Sequence, residues 1–151
     1  MVSYGFKSYF APQIEDGSKT HTIRQHRRRH AHPGEPLQLY VGMRTRHCRK
    51  IIADPICRSV RPIVIMSSDL IDAGIAYIEI DGMPLRRDEI EAFAASDGFA
   101  PDRLRGLAPQ SLIGQTARET MGRFWRATHN GTRFEGVIIR WGDARPAWEC
   151  R

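Results

Sequence analysis

Gly17, Lys19, Thr22 and Arg24 stand in the order G-x-K-x-x-T-x-R. A hydroxyl and an amine brought together can carry out acyl transfer: the threonine oxygen attacks and the lysine takes its proton. A free lysine is almost wholly protonated near neutrality. Lowering its pKa from about 10.4 to about 7 needs roughly 4–5 kcal/mol of differential stabilisation. Neighbouring arginines contribute, because they disfavour a second positive charge. Geometry adds a condition. Residues three apart on a regular strand face opposite ways, so Lys19 and Thr22 share a site only if Lys19 lies in a bend after Gly17, before the strand begins.

Arg24 opens a basic stretch. From Lys19 to Lys50 nine Lys and Arg stand against Glu35 alone, a local charge of +8 in a chain of net charge +6. All the excess positive charge is therefore confined to one segment, which predicts attraction to phosphates that weakens with salt. Arg24, Arg27, Arg28, Arg29, Arg44 and Arg46 are the candidate phosphate ligands, and Tyr40 and Phe99 the candidate rings for stacking on a base. A ribonuclease would use Arg24, Arg27 and Arg28 to stabilise a phosphorane, with Lys19 or a histidine moving protons. His26, His30 and His32 invite a metal reading, but the Pro33-Gly34 break and the intervening arginines oppose it. His47 and Cys48, as strand neighbours, would point to opposite faces. No metal and no cofactor is expected.

These side chains need a scaffold. A chain of 151 residues is expected to be one domain, and a hydrophobic fraction of 41% with 26% charged residues excludes wholesale disorder. No apolar run reaches the roughly 20 residues of a membrane span. The N-terminus lacks the long apolar stretch of a secretory signal, so a cytoplasmic protein is expected. Three cysteines with no C-x-x-C pair, Cys48, Cys57 and Cys150, argue against a disulfide framework and a zinc ribbon.

The patterning predicts a strand over "YGFKSYF", a short helix over "APQIEDG" with Pro12 in its first turn, and a strand over "THTIRQ". "HRRRHAHPGE" reads as a loop and "PLQLYVG" as a strand. Between Arg46 and Met66 the breaks at Pro55 and Pro62 predict two short strands or one bent strand. "IAYIEIDG" is a strand, and "PLRRDEIEAFAASDG" a helix stopped by Asp97-Gly98. Met121, Phe124, Trp125 and Thr128 form the core stripe of a further helix, and "RFEGVIIRW" is a last strand before a tail over 143–151. Several short strands with two longer helices and no βαβ alternation predict an α+β domain around a small, mostly antiparallel barrel.

The motif, followed by "PGEPLQLYVGMRTR", "AFAASDGF", a helix bearing "FW" and the strand "FEGVIIRW", resembles the ASCH domain family. The fold of that family is similar to the PUA RNA-binding module. The resemblance spans Phe6 to about Trp141, within a core of about 4–142, and makes 101–115 an insertion. It implies a PUA-like β-barrel flanked by helices, with RNA or a modified nucleoside as partner. One group of members deacetylates acetylcytidine nucleosides with the motif lysine, the motif threonine and a carboxylate, roles that fall on Lys19, Thr22 and Asp97. Those members carry a glutamate where this chain has the shorter Asp97, which could donate a proton, orient Lys19 or accept a hydrogen bond from the ligand. Another member type is a ribonuclease. Amidohydrolase, ribonuclease and non-catalytic RNA reader all remain open at this point.

Overall fold

The computed structural model describes Met1–Glu149. Internal contacts divide the chain into two compact units, Met1–Arg61 with Val137–Arg151, and Pro62–Gly136. The chain passes between them within two of its strands.

In the first unit β1 (Val2–Phe6) buries Val2 and Tyr4 and leaves Ser3 and Gly5 partly exposed, the period of a strand. The strand predicted to run through Phe10 stops at Phe6, and Ser8–Phe10 turn as a 3-10 helix. Phe10 then joins Ala11 and Ile14 on the buried side of α1 (Ala11–Glu15), whose first turn holds Pro12. Gly17, with φ +83°, turns the chain out of the helix, a conformation glycine adopts without penalty. β2 (His21–Gln25) follows, then the basic loop, and β3 (Leu37–Val41) pairs parallel with β1 from Val2–Leu37 to Phe6–Val41. β1 ends where its partner ends: Gly42 has φ +65°, and a Cβ there would lie 2.9 Å from the His47 carbonyl oxygen. β4 (Arg49–Lys50) pairs antiparallel with β3.

β5 (Ser59–Ser67) enters the second unit at Pro62, which is exposed and keeps its carbonyl for the Asp81 N–H. β6 (Ile75–Ile80) and β7 (Met83–Pro84) continue antiparallel through the Asp81-Gly82 turn. α2 (Arg87–Ala94) runs into a wide turn, Ala95–Phe99, in which Gly98 has φ +104°. The segment 101–115 contains α3 (Pro101–Leu104) and a 3-10 turn at Gln110–Leu112. α4 (Ala117–Thr128) starts at Thr116, whose side chain accepts the Glu119 N–H. Its buried face comprises Ala117, Thr120, Met121, Gly122 and Trp125. Thr128 is not part of that stripe: it is exposed and its hydroxyl bonds back to the Phe124 carbonyl at 2.8 Å. β8 (Arg133–Arg140) returns the chain to the first unit after Gly136.

The architecture is α+β with mostly antiparallel sheets. The strands form one sheet in the order β1-β3-β4 and one in the order β2-β8-β5-β6-β7, and neither closes into the expected barrel. The two-residue strands β4 and β7 end their sheets as short edges. A second expectation also needs correction. The segment read as a tail contains a 3-10 turn, Ala147–Glu149, with Glu149 buried. No helix among the described residues is long and apolar enough to cross a membrane. Cys48 (exposed) and Cys57 (buried) are free, and Cys150 lies outside the described residues.

Candidate functional site

Lys19 occupies the bend between α1 and β2, the position its motif requires. Its N–H donates to the Gln13 carbonyl at 2.9 Å, and the next regular strand residue is His21. The side chain turns inward and is 3% exposed. The Nζ donates to the His21 carbonyl at 2.9 Å, so the amine rests on the peptide unit that joins His21 to Thr22. It also stands 5.2 Å from the centre of the Phe10 ring and 6.0 Å from that of Phe6. Aromatic faces and a carbonyl oxygen all present negative potential to an ammonium, which offsets part of the cost of burying it. Thr22 and His21 are buried as well.

Arg24 lies two residues on from Thr22. Its Nη2 donates to the Gly5 carbonyl at 2.7 Å, and its guanidinium sits over Phe6 (4.8 Å) and Tyr4 (5.4 Å). Arg27 also covers Tyr4, at 4.6 Å. β1 thus supplies the aromatic surface on which three cations of the following segment rest.

Tyr4 also organises the basic loop. His30 Nε2 donates to the Gln25 carbonyl at 2.7 Å, since a carbonyl can only accept. The Tyr4 hydroxyl accepts the Ala31 N–H at 3.2 Å and lies 3.0 Å from His30 Nδ1, to which it donates when the imidazole is neutral. Burial lowers the His30 pKa, and the charges of Arg27, His26 and Arg24 act the same way against the opposing Gln25 hydrogen bond. At the other end of the loop, Glu35 accepts from Arg29, the N-terminal amine and the His32 N–H, which hold its pKa at about 2. Arg29 is therefore an anchor of the loop rather than an open phosphate ligand.

Arg28, Arg44 and Arg46 are exposed, and none forms an ion pair among the described residues. Arg44 has φ +65° in the turn after β3. Tyr40 is half-buried and projects opposite to the fully buried Leu37 and Leu39, with Lys50 Nζ 5.9 Å from its ring centre. Phe99 does not offer an open stacking face: it is 3% exposed and packs on Phe124 at 5.2 Å in the core of the second unit. Asp97 belongs to that unit too, where it is buried in the Ala95–Phe99 turn. His26, His32, His47 and Cys48 are exposed, and no three His, Cys, Asp or Glu side chains cluster among the described residues.

The second unit holds a polar cavity of about 350 Å³ between the turn at Asp69–Gly74 and α4. Asp69 pairs with Arg126 and Glu119 with Arg123 at its wall. None of the sequence-predicted residues lines it.

Reading the sequence did not single out Phe6 and Phe10 as partners of Lys19, or Tyr4 as the platform for Arg24 and Arg27. The signal was present in the aromatic run "YGFKSYF" just ahead of the motif. Read as strand alternation, it pointed only to core. No protein-family model matches the chain, and neither a curated protein nor a solved structure matches it.

Proposed function

We propose that this is an ASCH-type protein that binds single-stranded RNA or a nucleoside through its first unit. The observation that carries the reading is the charge of that unit: 15 Lys and Arg against 6 Asp and Glu, a net of +9. Exposed Arg28, Arg44 and Arg46 are available to phosphates, and the half-buried Tyr40 ring to a base. If about four phosphates are engaged, log affinity falls with log salt at a slope near −3.

A second reading is hydrolysis of an acylated cytidine, favoured by the burial of Lys19 with its amine on the peptide carbonyl preceding Thr22. In that reaction the Thr22 hydroxyl adds to the acyl carbon, Lys19 in its neutral form accepts the hydroxyl proton, and the cytosine amine departs with a proton. Water then releases the acyl group from Thr22. Only enzyme with a neutral Lys19 enters this cycle, which makes the rate rise with pH.

The test sets fluorescent single-stranded RNA and N-acylated cytidine beside the wild type, Lys19→Met and Thr22→Ala. Methionine is of similar length and packs against aromatic rings without the charge. Deacylation abolished in both variants supports hydrolysis. Binding without turnover leaves a reader of RNA, and RNA cleavage lost with Lys19→Met replaces both by a ribonuclease. Absence of binding and of turnover at low salt removes the proposal.

A further inference from the structure

The C-terminal segment meets the surroundings of Lys19 at four points. The Trp141 N–H donates to the Thr20 carbonyl at 2.9 Å. The Trp141 ring packs edge-on against Phe6 at 6.1 Å, and the Trp148 ring edge-on against His21 at 5.8 Å. Gly142 lies so close to Thr20 that a Cβ there would be 2.6 Å from the threonine Cβ. Phe6 and His21 are among the residues that receive the Lys19 amine.

The segment is held at its far end by a buried ionic cluster. Arg140 donates to Glu149 from Nε (2.9 Å) and Nη2 (2.8 Å), and a third donor, Nη1, reaches the Gly142 carbonyl. The Ser59 hydroxyl also donates to Glu149, and Arg61 Nε stands 3.7 Å away. The Glu149 and Arg140 side chains are only 1% and 7% exposed. One guanidinium thus fixes both ends of the Gly142–Glu149 segment, at a carbonyl and at a carboxylate. Removing one partner of such a pair leaves a buried charge without compensation.

We infer that Arg140, Glu149 and Ser59 form a latch that closes the C-terminal segment over Lys19, so that Glu149 is a positioning residue for the Lys19–Thr22 site. The inference rests on the functional reading of that site, but its geometry can be tested without any ligand. The chain has three lysines, and only Lys19 is buried, while Lys7 and Lys50 are exposed. Full-length protein is treated with an amine-acetylating reagent, and the acetylation of each lysine is followed by peptide mass spectrometry. In the wild type Lys19 reacts far more slowly than Lys7. In Glu149→Gln the ratio of Lys19 to Lys7 labelling rises by about tenfold or more, as expected when a buried pair loses one charge, with Glu149→Asp between the two.

Amide exchange at Leu39, in the centre of β3, separates the latch from general destabilisation. A raised Lys19 ratio with unchanged Leu39 exchange supports the latch. An unchanged ratio, or a rise matched by faster Leu39 exchange, overturns it. A latch that opens in a protein showing neither RNA binding nor deacylation keeps the geometry and discards the functional reading. Protection of Lys19 by acylated cytidine in the wild type supports both.

Discussion

The first unit carries a net charge of +9, whereas Pro62–Gly136, with 8 Lys and Arg against 11 Asp and Glu, carries −3. Their interiors differ in the same sense. Gln13, Lys19, His21, Thr22, Ser59, Arg140 and Glu149 are buried in the first unit, while the second buries only Asp97 and Thr120 among the described polar residues. Thr120 is accounted for locally, since its hydroxyl donates to the Thr116 carbonyl and accepts the Gly114 N–H. Buried polar side chains are costly and persist where hydrogen bonds and neighbouring charges compensate them. The first unit therefore depends more on compensated polar groups, and the second more on apolar packing. Most of the candidate side chains, Lys19, Thr22 and Arg24 among them, belong to the first unit, and Asp97 to the second.

The largest effect that would sharpen the contrast is a cavity in the second unit. Trp125 is 5% exposed, stacks on His129 at 4.2 Å and meets Phe134 edge-on at 4.9 Å. Trp125→Ala should cost about 3–5 kcal/mol in thermal or denaturant unfolding. Single-stranded RNA binding measured below the melting transition should be unchanged. Loss of binding in a folded variant would break the separation of roles.

An intermediate effect concerns one histidine in each unit. His30 and His129 both have pKa values lowered from 6.5 by burial, with a backbone hydrogen bond opposing the shift at each. The unfolded chain therefore takes up protons that the folded chain resists. Stability is fully present above about pH 6.5 and falls as the pH drops toward the lower folded values. Tyr4→Phe removes the hydroxyl shared by His30 and the Ala31 N–H, and should cost about 1–3 kcal/mol. Titration of the imidazole resonances by NMR should show His30 altered and His129 unmoved. A shift of both would show that the loop around Tyr4 is not a local device.

The smallest effect is on salt dependence. Arg28→Ala removes one exposed guanidinium and should flatten the slope of log affinity against log salt by about 0.7 if that residue meets a phosphate. Arg105→Ala in the second unit, where Arg105 pairs with Asp102, should leave the slope as it was. Equal changes in the two variants would mean that binding follows net charge alone.

Most of the elements were legible in the residue order because local rules govern them. Pro12 and Gly17 bracket α1, Asp81-Gly82 turns β6 toward β7, and Gly42 ends β3. The bend that frees Lys19 from strand alternation could be read from Gly17 alone. Its surroundings could not. Phe6 and Phe10 look like core aromatics in sequence, and nothing in the spacing says that a lysine amine will lie against them. Phe99 shows the converse, a ring with a plausible nucleotide role that packing claimed for the core.

By itself the sequence determined the order and type of most elements, the confinement of positive charge and the motif order, since each depends on near neighbours or on simple counting. The tertiary structure alone decided that the strands remain in two open sheets and that Arg29 is held by Glu35. It also decided that the last turn returns Glu149 to Arg140. Those outcomes depend on contacts between residues far apart in the chain, where burial and charge pairing outweigh the local preferences that a sequence displays.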